Sequence, residues 1–352
     1  MPALAIADAM VEADPSIDPV FIGSERGLEA RVLPQRRWRH VLLPLEPIYR
    51  RQWWKNIGLP VSIFRSLRRL RLVLSRESPA LAVGTGGYVS GPALWAAALR
   101  GVPTVIQEQN AYPGFATRRL ARRARQIHLG FPEARARLRP GPDTEVFDSG
   151  NPIQPPPADG RRLTTDGKRG LGFVPDAPLV LVVGGSQGAL GINRLVADAI
   201  HAGQWPANVQ LLWQTGPASY AEFKELSAVS RKLSAFIDPI SPAYQAADLV
   251  IARAGAITLA EIAAWGLPAI LIPLPTAAAN HQLQNARTLA GSGAAVLLEQ
   301  GGLTGPALVR TVTGLLADPA KMADLSQAIR ARARPDAARV IAHEALRLVS
   351  KR

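Results

Sequence analysis

The chain has 352 residues, 47% of them hydrophobic, and this length is sufficient for two domains of ordinary size. It contains no cysteine, which excludes disulfides, thiolate zinc sites and a cysteine nucleophile. The net charge is +14, with +9 in residues 1–153 and +5 in residues 154–352, so an anionic surface is expected to meet the first half.

The first 16 residues form one amphipathic pattern that includes Asp8, Glu12 and Asp14. A secretory signal would need a basic start and an uninterrupted apolar stretch, and this segment has neither. No apolar run elsewhere approaches the roughly 20 residues that a bilayer-spanning helix needs, because Pro, Gly or Arg interrupts each one. The sequence therefore predicts a soluble cytoplasmic protein.

Residues 31–76 are strongly basic, with 12 arginines and lysines against the single acid Glu46. Aromatic side chains are interleaved with these charges at Trp38, Trp53, Trp54 and Phe64. A basic and aromatic stretch of this kind indicates either a solvated face with a packed corner or a surface that docks on anionic lipid.

A helix is predicted after Pro60, and a projection at about 100° per residue gives it two apolar faces. One face is predicted to pack in the core: Ile63, Leu67, Leu70 and Leu74. The other combines apolar tips with arginines and is the candidate membrane surface: Val61, Phe64, Arg65, Arg68 and Arg71. Nucleic acid would also attract these arginines, but no recognised nucleic-acid motif accompanies them.

Short Val/Ile/Leu strands alternate with helix-length segments along the whole chain. The predicted strands lie at residues 80–84, 103–107, 179–183, 209–215, 247–253 and 268–273. This alternation predicts an α/β protein with doubly wound parallel sheets. A Pro- and Gly-rich linker at residues 151–170 divides it into domains 1–153 and 154–335. The final helix, 336–352, is predicted to pack back on the first domain.

Two glycine-bearing loops of the second half can hold an anion. A buried strand is followed by Gly184-Gly185-Ser186-Gln187-Gly188 and then a helix, which aims backbone N–H groups at one point. The second loop is Arg253-Ala254-Gly255-Ala256, before a helix predicted to open near Thr258 with Glu261 in its first turn. Glu261 either complements the helix dipole or accepts hydrogen bonds from a ribose diol.

Six motifs together closely resemble the MurG family of glycosyltransferases. They are "GTGGYVSGP" (84–92), "QEQNAYPG" (107–114), "SGNPI" (149–153), "VVGGSQGALGIN" (182–193), "FIDPISPAYQAADLVIARAGAITLAEIAAWGLPAILIP" (236–273) and "ANHQLQNA" (279–286). The resemblance implies a GT-B fold, in which two Rossmann-like domains face a central cleft. It also implies a peptidoglycan hexosyltransferase of cell-wall synthesis, and so a role in cell shape and division.

The implied reaction is an inverting transfer of N-acetylglucosamine from UDP-N-acetylglucosamine to undecaprenyl-diphosphate-linked N-acetylmuramoyl-pentapeptide. The implied partners are these two substrates and an anionic membrane surface, with no nucleic acid. The enzyme is expected at the cytoplasmic face of the cell membrane as a peripheral protein. No cofactor and no metal are expected, since the chain has no Asp-x-Asp and no tight cluster of metal ligands.

The resemblance also assigns roles to residues. Glu108 is the candidate catalytic base. The acceptor-side residues are Tyr88, Gly86, Gly87 and Asn110. The donor-side residues are Asn110, Gly185, Ser186, Gln187, Gly188, Ile237, Arg253, Gly255, Ala256, Ile257, Thr258, Leu259, Ala260, Glu261, Gln282 and Asn285. Within this set Ser186 and its turn contact phosphate, the Ile237 backbone reads uracil, Glu261 binds ribose and Gln282 reaches the sugar hydroxyls.

This sequence departs from the family pattern in three places. The family begins with a strand and a Gly-rich loop, and Met1 stands where that loop should end. We therefore expect a start site upstream, and feeble or no transfer by a chain that lacks this strand. Gln107 stands where the family often has His, which leaves Glu108 as the nearby proton acceptor. Gln154 replaces a basic residue.

Two other functions fit the sequence pattern. A UDP-N-acetylglucosamine 2-epimerase shares the GT-B fold, but it would need acid and base side chains in the cleft, and the five histidines are scattered: His40, His128, His201, His281 and His343. A membrane-peripheral UDP-sugar-binding protein without catalysis is the second alternative.

Overall fold

The computed structural model describes residues 2–27, 29–45, 59–157, 164–277 and 280–350. Trp53, Trp54 and their basic neighbours Arg50, Arg51 and Lys55 lie outside the described residues, as does part of the 151–170 linker. The chain forms two compact units. Unit 1 contains Met1–Ile153 and Asp336–Arg352, and unit 2 contains Gln154–Pro335.

The helices and strands alternate along the chain. The helices are α1 (Pro2–Ala13), α2 (Glu29–Val32), α3 (Leu59–Glu77), α4 (Gly87–Ala98), α5 (Phe115–Leu120), α6 (Thr164–Gly170), α7 (Leu190–His201), α8 (Tyr220–Phe223), α9 (Ser241–Ala246), α10 (Ala256–Trp265), α11 (His281–Gly291), α12 (Gly305–Leu316), α13 (Pro319–Ala331) and α14 (Ala337–Ser350). The strands are β1 (Val20–Ser24), β2 (Arg39–Leu43), β3 (Ala82–Gly84), β4 (Thr104–Glu108), β5 (Gln126–Leu129), β6 (Glu145–Phe147), β7 (Leu179–Val183), β8 (Gln210–Gln214), β9 (Arg231–Ser234), β10 (Leu249–Ala252), β11 (Ala269–Leu271) and β12 (Val296–Leu297).

Unit 2 is built around one sheet of six strands in the order β12-β11-β10-β7-β8-β9. Every strand pairing in this sheet is parallel. Its central strand β7 is buried at every residue, as expected for an apolar run covered on both faces. The pairing sets Val183 opposite both Ala252 of β10 and Gln214 of β8. The loops that follow these three strands therefore start side by side.

Unit 1 holds its parallel strands in two sheets, β1-β2 and β3-β4-β5-β6. Within the described ranges, β1 and β3 are therefore both edge strands. Helix α4 packs against each of them and spans the interval between the two sheets. Together the two units confirm the predicted α/β class built from parallel sheets.

The two ends of the chain pack on each other in unit 1. Ile6 and Met10 of α1 are buried in one cluster with Ile341 and Ala345 of α14 and with Val105 of β4. The amphipathic pattern at the start of the chain is thus the core-facing side of a packed helix.

Candidate functional site

The glycine turn Gly184–Gly188 of unit 2 is a tight connection between β7 and α7. Gly185 has φ +85° and Gly188 has φ +75°, a backbone region that favours glycine. A Cβ on Gly188 would lie 2.1 Å from the carbonyl oxygen of Thr215, so only glycine fits against the end of β8. Ser186 and Gln187 are exposed at the tip, immediately before the start of α7. This geometry can cradle an anion with backbone N–H groups.

Gln214, at the end of β8, connects the glycine turn to the residue assigned to uracil. Its Nε2 donates to the Gly185 carbonyl over 3.0 Å, and its Oε1 accepts from the Ile237 N–H over 2.9 Å. The side chain is 4% exposed, so the two bonds are made away from solvent. Sequence reasoning missed this residue, although it lies near the end of the predicted strand 209–215 and directly before Thr215-Gly216.

The second loop follows β10 and precedes α10. The Arg253 side chain is buried, and its NH1 donates to the carbonyls of Ile272 (2.9 Å) and Pro273 (3.2 Å). Burial lowers the pKa of this guanidinium to about 10. No carboxylate pairs with it in the described part of the chain. A buried cation without a counter-charge makes this loop favourable for an anion.

Helix α10 begins at Ala256, two residues before the predicted start. Gly255 is its N-cap, and Leu259 makes the first intrahelical bond to the Gly255 carbonyl over 3.0 Å. Ile257 and Thr258 precede that bond, so their N–H groups belong to the open end of the helix. The prediction that Glu261 lies in the first turn is wrong. Glu261 is in the second turn, where a carboxylate does little for the helix dipole, so the dipole explanation loses its support.

Glu261 is held by Tyr244 of α9. The tyrosine hydroxyl donates to Glu261 Oε2 over 2.9 Å, and the Tyr244 ring packs beside Trp265. Burial raises the pKa of Glu261, while the bond from Tyr244 opposes that rise. Burial also raises the pKa of Tyr244 well above its usual value, so this hydroxyl stays protonated as a donor. Sequence reasoning did not find Tyr244, because nothing local to it signals a partner 17 residues away.

Helix α11 supports the same loops. Gln282 Oε1 accepts from the Leu274 N–H over 3.0 Å, which ties α11 to the segment after β11. Asn285 is 0% exposed and donates to the Ala254 carbonyl over 3.2 Å. Asn285 is thus bonded to the Arg253–Gly255 loop, and its assignment to the donor stays a prediction. Leu259 is also buried.

In unit 1 the structure brings two predicted acceptor-side loops together. Gly86 and Gly87 have φ values of +92° and +78° and lead into α4, and Tyr88 donates from its hydroxyl to Ser24 Oγ over 2.7 Å. Gln109 Nε2 donates to the Thr85 carbonyl over 2.5 Å. This bond joins the Gly86–Tyr88 turn to the loop that carries Glu108 and Asn110.

Glu108 organises the loop after β4. Its Oε1 accepts from the Asn110 backbone N–H (3.1 Å) and Nδ2 (3.4 Å), and its Oε2 accepts from the Gly114 N–H (2.9 Å). Gly114 is the N-cap of α5, so this carboxylate also fixes the start of that helix. Glu108 is 6% exposed. A carboxylate has about four lone-pair positions, and these contacts use three of them.

The "SGNPI" motif is a buried structural junction. Asn151 accepts from Gln107 Nε2 over 2.9 Å and donates to the Gln109 carbonyl over 3.0 Å. His128 is stacked on Phe147 and bonded to Ser149 Oγ over 2.8 Å. Burial lowers the pKa of His128 to about 4, so it is neutral and structural at neutral pH.

Helix α3 exposes the predicted membrane surface. Val61 and Phe64 are 55% and 68% exposed, and Arg65, Arg68 and Arg71 are exposed beside them without an ion-pair partner among the described residues. The prediction that Ile63 is a core residue is wrong, because Ile63 is 40% exposed, whereas Leu70 and Leu74 are buried. The apolar surface of α3 is therefore larger than predicted.

A groove of about 350 Å³ adjoins this surface between α3 and α4. Its lining residues are Leu67, Arg71, Leu74, Trp95, Ala96, Leu99 and Arg100. Trp95 and Leu99 are exposed large apolar side chains. No helix in the described ranges is both long and apolar enough to cross a bilayer. Within the same ranges, no three His, Asp or Glu side chains are grouped as a metal site would require.

The comparisons with known proteins agree with this architecture. Residues 1–129 match the glycosyltransferase family 28 N-terminal domain, and residues 179–341 match the glycosyltransferase family 28 C-terminal domain. A crystal structure of MurG from Acinetobacter baumannii superposes with a TM-score of 0.77 at 26% identity, covering 98% of this chain and 95% of that one. These matches identify the two parallel α/β units as those of a glycosyltransferase with the GT-B fold.

Full-length relatives identify the family. The proteins of Chlorobaculum parvum and Salinibacter ruber are 38% and 39% identical over 349 and 353 residues. The matches cover 97% and 99% of this chain and 93% and 94% of theirs. Both are called UDP-N-acetylglucosamine--N-acetylmuramyl-(pentapeptide) pyrophosphoryl-undecaprenol N-acetylglucosamine transferase. The chain belongs to this MurG family of glycosyltransferases, which confirms the resemblance found in its motifs.

An epimerase shares only the fold. A UDP-N-acetylglucosamine 2-epimerase from Listeria monocytogenes superposes with a TM-score of 0.68 at 15% identity. That identity is too low to carry over an activity. The relatives at 38% and 39% identity carry the name of a transferase.

Proposed function

We propose that this protein transfers N-acetylglucosamine from UDP-N-acetylglucosamine to undecaprenyl-diphosphate-linked N-acetylmuramoyl-pentapeptide, the lipid I to lipid II step of peptidoglycan synthesis. The observation that carries the proposal is the match to transferases of this name at 38–39% identity over nearly the full chain. The loops of unit 2 support it, because they offer an anion cradle after β7, and α10, which follows the adjacent strand β10, carries the half-buried carboxylate of Glu261.

The donor is assigned to unit 2. The N–H groups of the glycine turn and of the start of α10 face the diphosphate. Glu261 accepts from the ribose hydroxyls, and the Ile237 backbone contacts uracil. Gln282 is assigned to the donor sugar. Fixed dipoles of this kind stabilise the negative charge that develops on departing UDP without having to reorganise.

The reaction is an inverting displacement. An acceptor hydroxyl oxygen attacks C1 of the N-acetylglucosamine from the face opposite UDP. The new C1–O bond forms as the bond from C1 to the phosphate oxygen breaks, and the electron pair leaves with UDP. The hydroxyl proton passes to Glu108, which uses the lone pair that the loop contacts leave open.

The acceptor is held in a membrane, so the enzyme must dock there. We assign this docking to Val61, Phe64, Arg65, Arg68 and Arg71 of α3, as a peripheral contact at the cytoplasmic face. Apolar tips insert, while each arginine near anionic lipid adds about 1 kcal/mol. No nucleic-acid partner is proposed.

The decisive experiment incubates the purified full chain with labelled UDP-N-acetylglucosamine and lipid-linked acceptor. We expect a labelled disaccharide lipid and one UDP per transfer. Release of UDP-N-acetylmannosamine would indicate the epimerase instead. Binding of UDP-N-acetylglucosamine by calorimetry without any transfer would indicate a catalytically impaired binding protein.

The transfer is proposed to be independent of metal. We expect the rate in excess EDTA to match the rate with Mg²⁺ within about twofold, because protein dipoles rather than a cation stabilise the leaving group. Loss of transfer in EDTA that Mg²⁺ or Mn²⁺ restores would contradict this part of the proposal while leaving the identity of the substrates intact.

A further inference from the structure

Unit 1 carries a second cationic surface, distinct from that of α3, which we call the arginine shelf: Tyr112, Phe115, Arg118, Arg119 and Arg137. The guanidinium carbons of Arg118 and Arg137 both lie 5.1 Å from the ring centroid of Tyr112. Arg118 NH1 also donates to the Tyr112 hydroxyl over 3.0 Å, and Arg119 lies 5.2 Å from the Phe115 ring centroid. Aromatic rings thus orient all three cations.

The charge of the arginine shelf is uncompensated. Neither Arg118, Arg119 nor Arg137 has a carboxylate within 4 Å in the described part of the chain, although nearby Arg135 pairs with Asp148 at 3.1 Å. Residues 112–139 contain eight arginines and a single acid, Glu133. Phe115 is 64% exposed, so the shelf opens to solvent. An oriented and unpaired set of guanidinium groups suits an anionic partner.

The shelf is attached to the loop that carries the acceptor-side residues. Arg137 NH1 approaches the Ala111 carbonyl at 3.4 Å, and Glu108 fixes Gly114 just before Phe115. Tyr112 is two residues from Asn110, and two residues span at most about 7 Å. The backbone of Tyr112 therefore lies within about 7 Å of that of Asn110, so the shelf begins next to the place assigned to the acceptor sugar.

The chemistry of that sugar decides which anion is near. In a muramyl sugar C1 carries the pyrophosphate, C2 the acetamido group and C3 the lactyl ether that bears the peptide. The ring hydroxyl left to accept is O4, which is next to C3 and across the ring from C1. A surface beside the accepting hydroxyl therefore meets the peptide, whereas the pyrophosphate is attached on the far side of the sugar ring.

We propose that the arginine shelf binds the carboxylate groups of the acceptor's peptide, with Arg118 and Arg137 as the main contacts. This inference rests on the proposed function. Guanidinium groups bind carboxylates with two parallel N–H···O bonds, and the Tyr112 ring holds both groups ready for that geometry. The shelf thereby selects the peptide-bearing sugar.

The test uses the full chain and two acceptors on the same short lipid pyrophosphate. One carries the pentapeptide, and in the other the lactyl carboxyl is capped as a methyl amide. The variant Arg118→Gln with Arg137→Gln is compared with Arg122→Gln with Arg123→Gln, which removes the same charge from two exposed arginines beyond α5. For the first variant we expect KM for the peptide acceptor to rise roughly tenfold or more, since two charge-assisted contacts are lost. KM for the capped acceptor and for UDP-N-acetylglucosamine should not change.

Other outcomes overturn the inference. An equal rise in KM for both acceptors would assign the shelf to the pyrophosphate. A fall in sedimentation with anionic vesicles would assign it to the membrane. Unchanged KM values would show that it binds neither. If the unmodified chain transfers to neither acceptor, the proposed function fails instead, and calorimetry with the free pentapeptide-bearing sugar phosphate still tests the shelf.

Discussion

The hydroxyl of Tyr244 lies 2.9 Å from Oε2 of Glu261 and is the donor that orients this carboxylate. Tyr244 is buried in α9, and Glu261 is on the second turn of α10. One oxygen of the carboxylate is thereby used by the protein, and the other is left for the ribose hydroxyls that we assign to it.

We predict that Tyr244→Phe weakens UDP-N-acetylglucosamine binding about tenfold, since a hydrogen bond to a charged group contributes roughly 1.5–3 kcal/mol and only part of it bears on the ligand. Glu261→Ala should weaken UDP-N-acetylglucosamine binding further than Tyr244→Phe does. Because the bond from Tyr244 lowers the pKa of Glu261, its removal should also shift the loss of binding in acid to higher pH. Calorimetry between pH 5 and 8 measures both effects, and unchanged affinity across this range would refute the positioning role.

Gln214 provides the second prediction. Gln214→Leu removes both the bond to the Gly185 carbonyl and the bond to the Ile237 N–H, and it should raise KM for UDP-N-acetylglucosamine about fivefold with little change in kcat. Gln214→Glu keeps an acceptor for the Ile237 N–H, so its KM should lie between that of the unmodified chain and that of Gln214→Leu. Tighter binding by Gln214→Leu would instead mean that this side chain competes with the base for the Ile237 N–H.

Glu108 is predicted to act as base and as loop support. Glu108→Gln should lower kcat by at least about 10²-fold, because the proton acceptor is gone. An equal fall in kcat for Gln109→Ala would leave Glu108 with a structural role alone. Gln109→Ala is the matched control, since it loosens the same loop through its bond to Thr85 without removing a carboxylate.

The surface of α3 is predicted to bind anionic lipid. Phe64→Ser with Arg68→Glu should reduce sedimentation with phosphatidylglycerol vesicles at least tenfold, because it removes an inserted ring and reverses one charge. Transfer to a water-soluble short-lipid acceptor should stay near normal. Equal sedimentation with neutral and anionic vesicles would count against the assignment.

His128 makes unit 1 sensitive to acid. Its pKa is about 4 in the folded chain against an unfolded value of 6.5, because burial disfavours the charged ring. Between these values the unfolded chain binds more protons, so stability falls as pH drops, by about 3 kcal/mol from 6.5 to 4. Denaturant unfolding of His128→Gln should show a shallower pH dependence, and the exposed His343→Gln should show no such change. Equal slopes of stability against pH in the unmodified chain and both variants would show that His128 is not the source of the acid sensitivity.

The length and pattern of the apolar runs were enough to predict the α/β class and six of the twelve described strands, namely β3, β4, β7, β8, β10 and β11. The β7 run LVLVV is apolar at every position, which is typical of a strand covered on both faces, and the glycines after it mark the turn to α7. The motif set identified the family. These features are local, since a strand, a turn or a motif is set by residues close together in the chain.

The predictions from sequence were wrong where a helix boundary, or the buried face of a helix, depended on packing. Glu261 was placed in a first turn because Thr258 resembles a helix start, whereas Gly255 caps α10 three residues earlier. Ile63 was assigned to the core by helical periodicity, yet the packing of α3 leaves it outside the buried face.

The sequence by itself determined which residue types follow each strand of this protein, and so the family and the class of ligand. Only the tertiary structure decided which side chains hold those residues in place. Tyr244 with Glu261, Gln214 with Gly185 and Ile237, and Tyr112 between Arg118 and Arg137 are pairings made by the fold. Hydrogen bonds and ring contacts depend on distances of a few ångströms between side chains, and one-dimensional spacing does not record them.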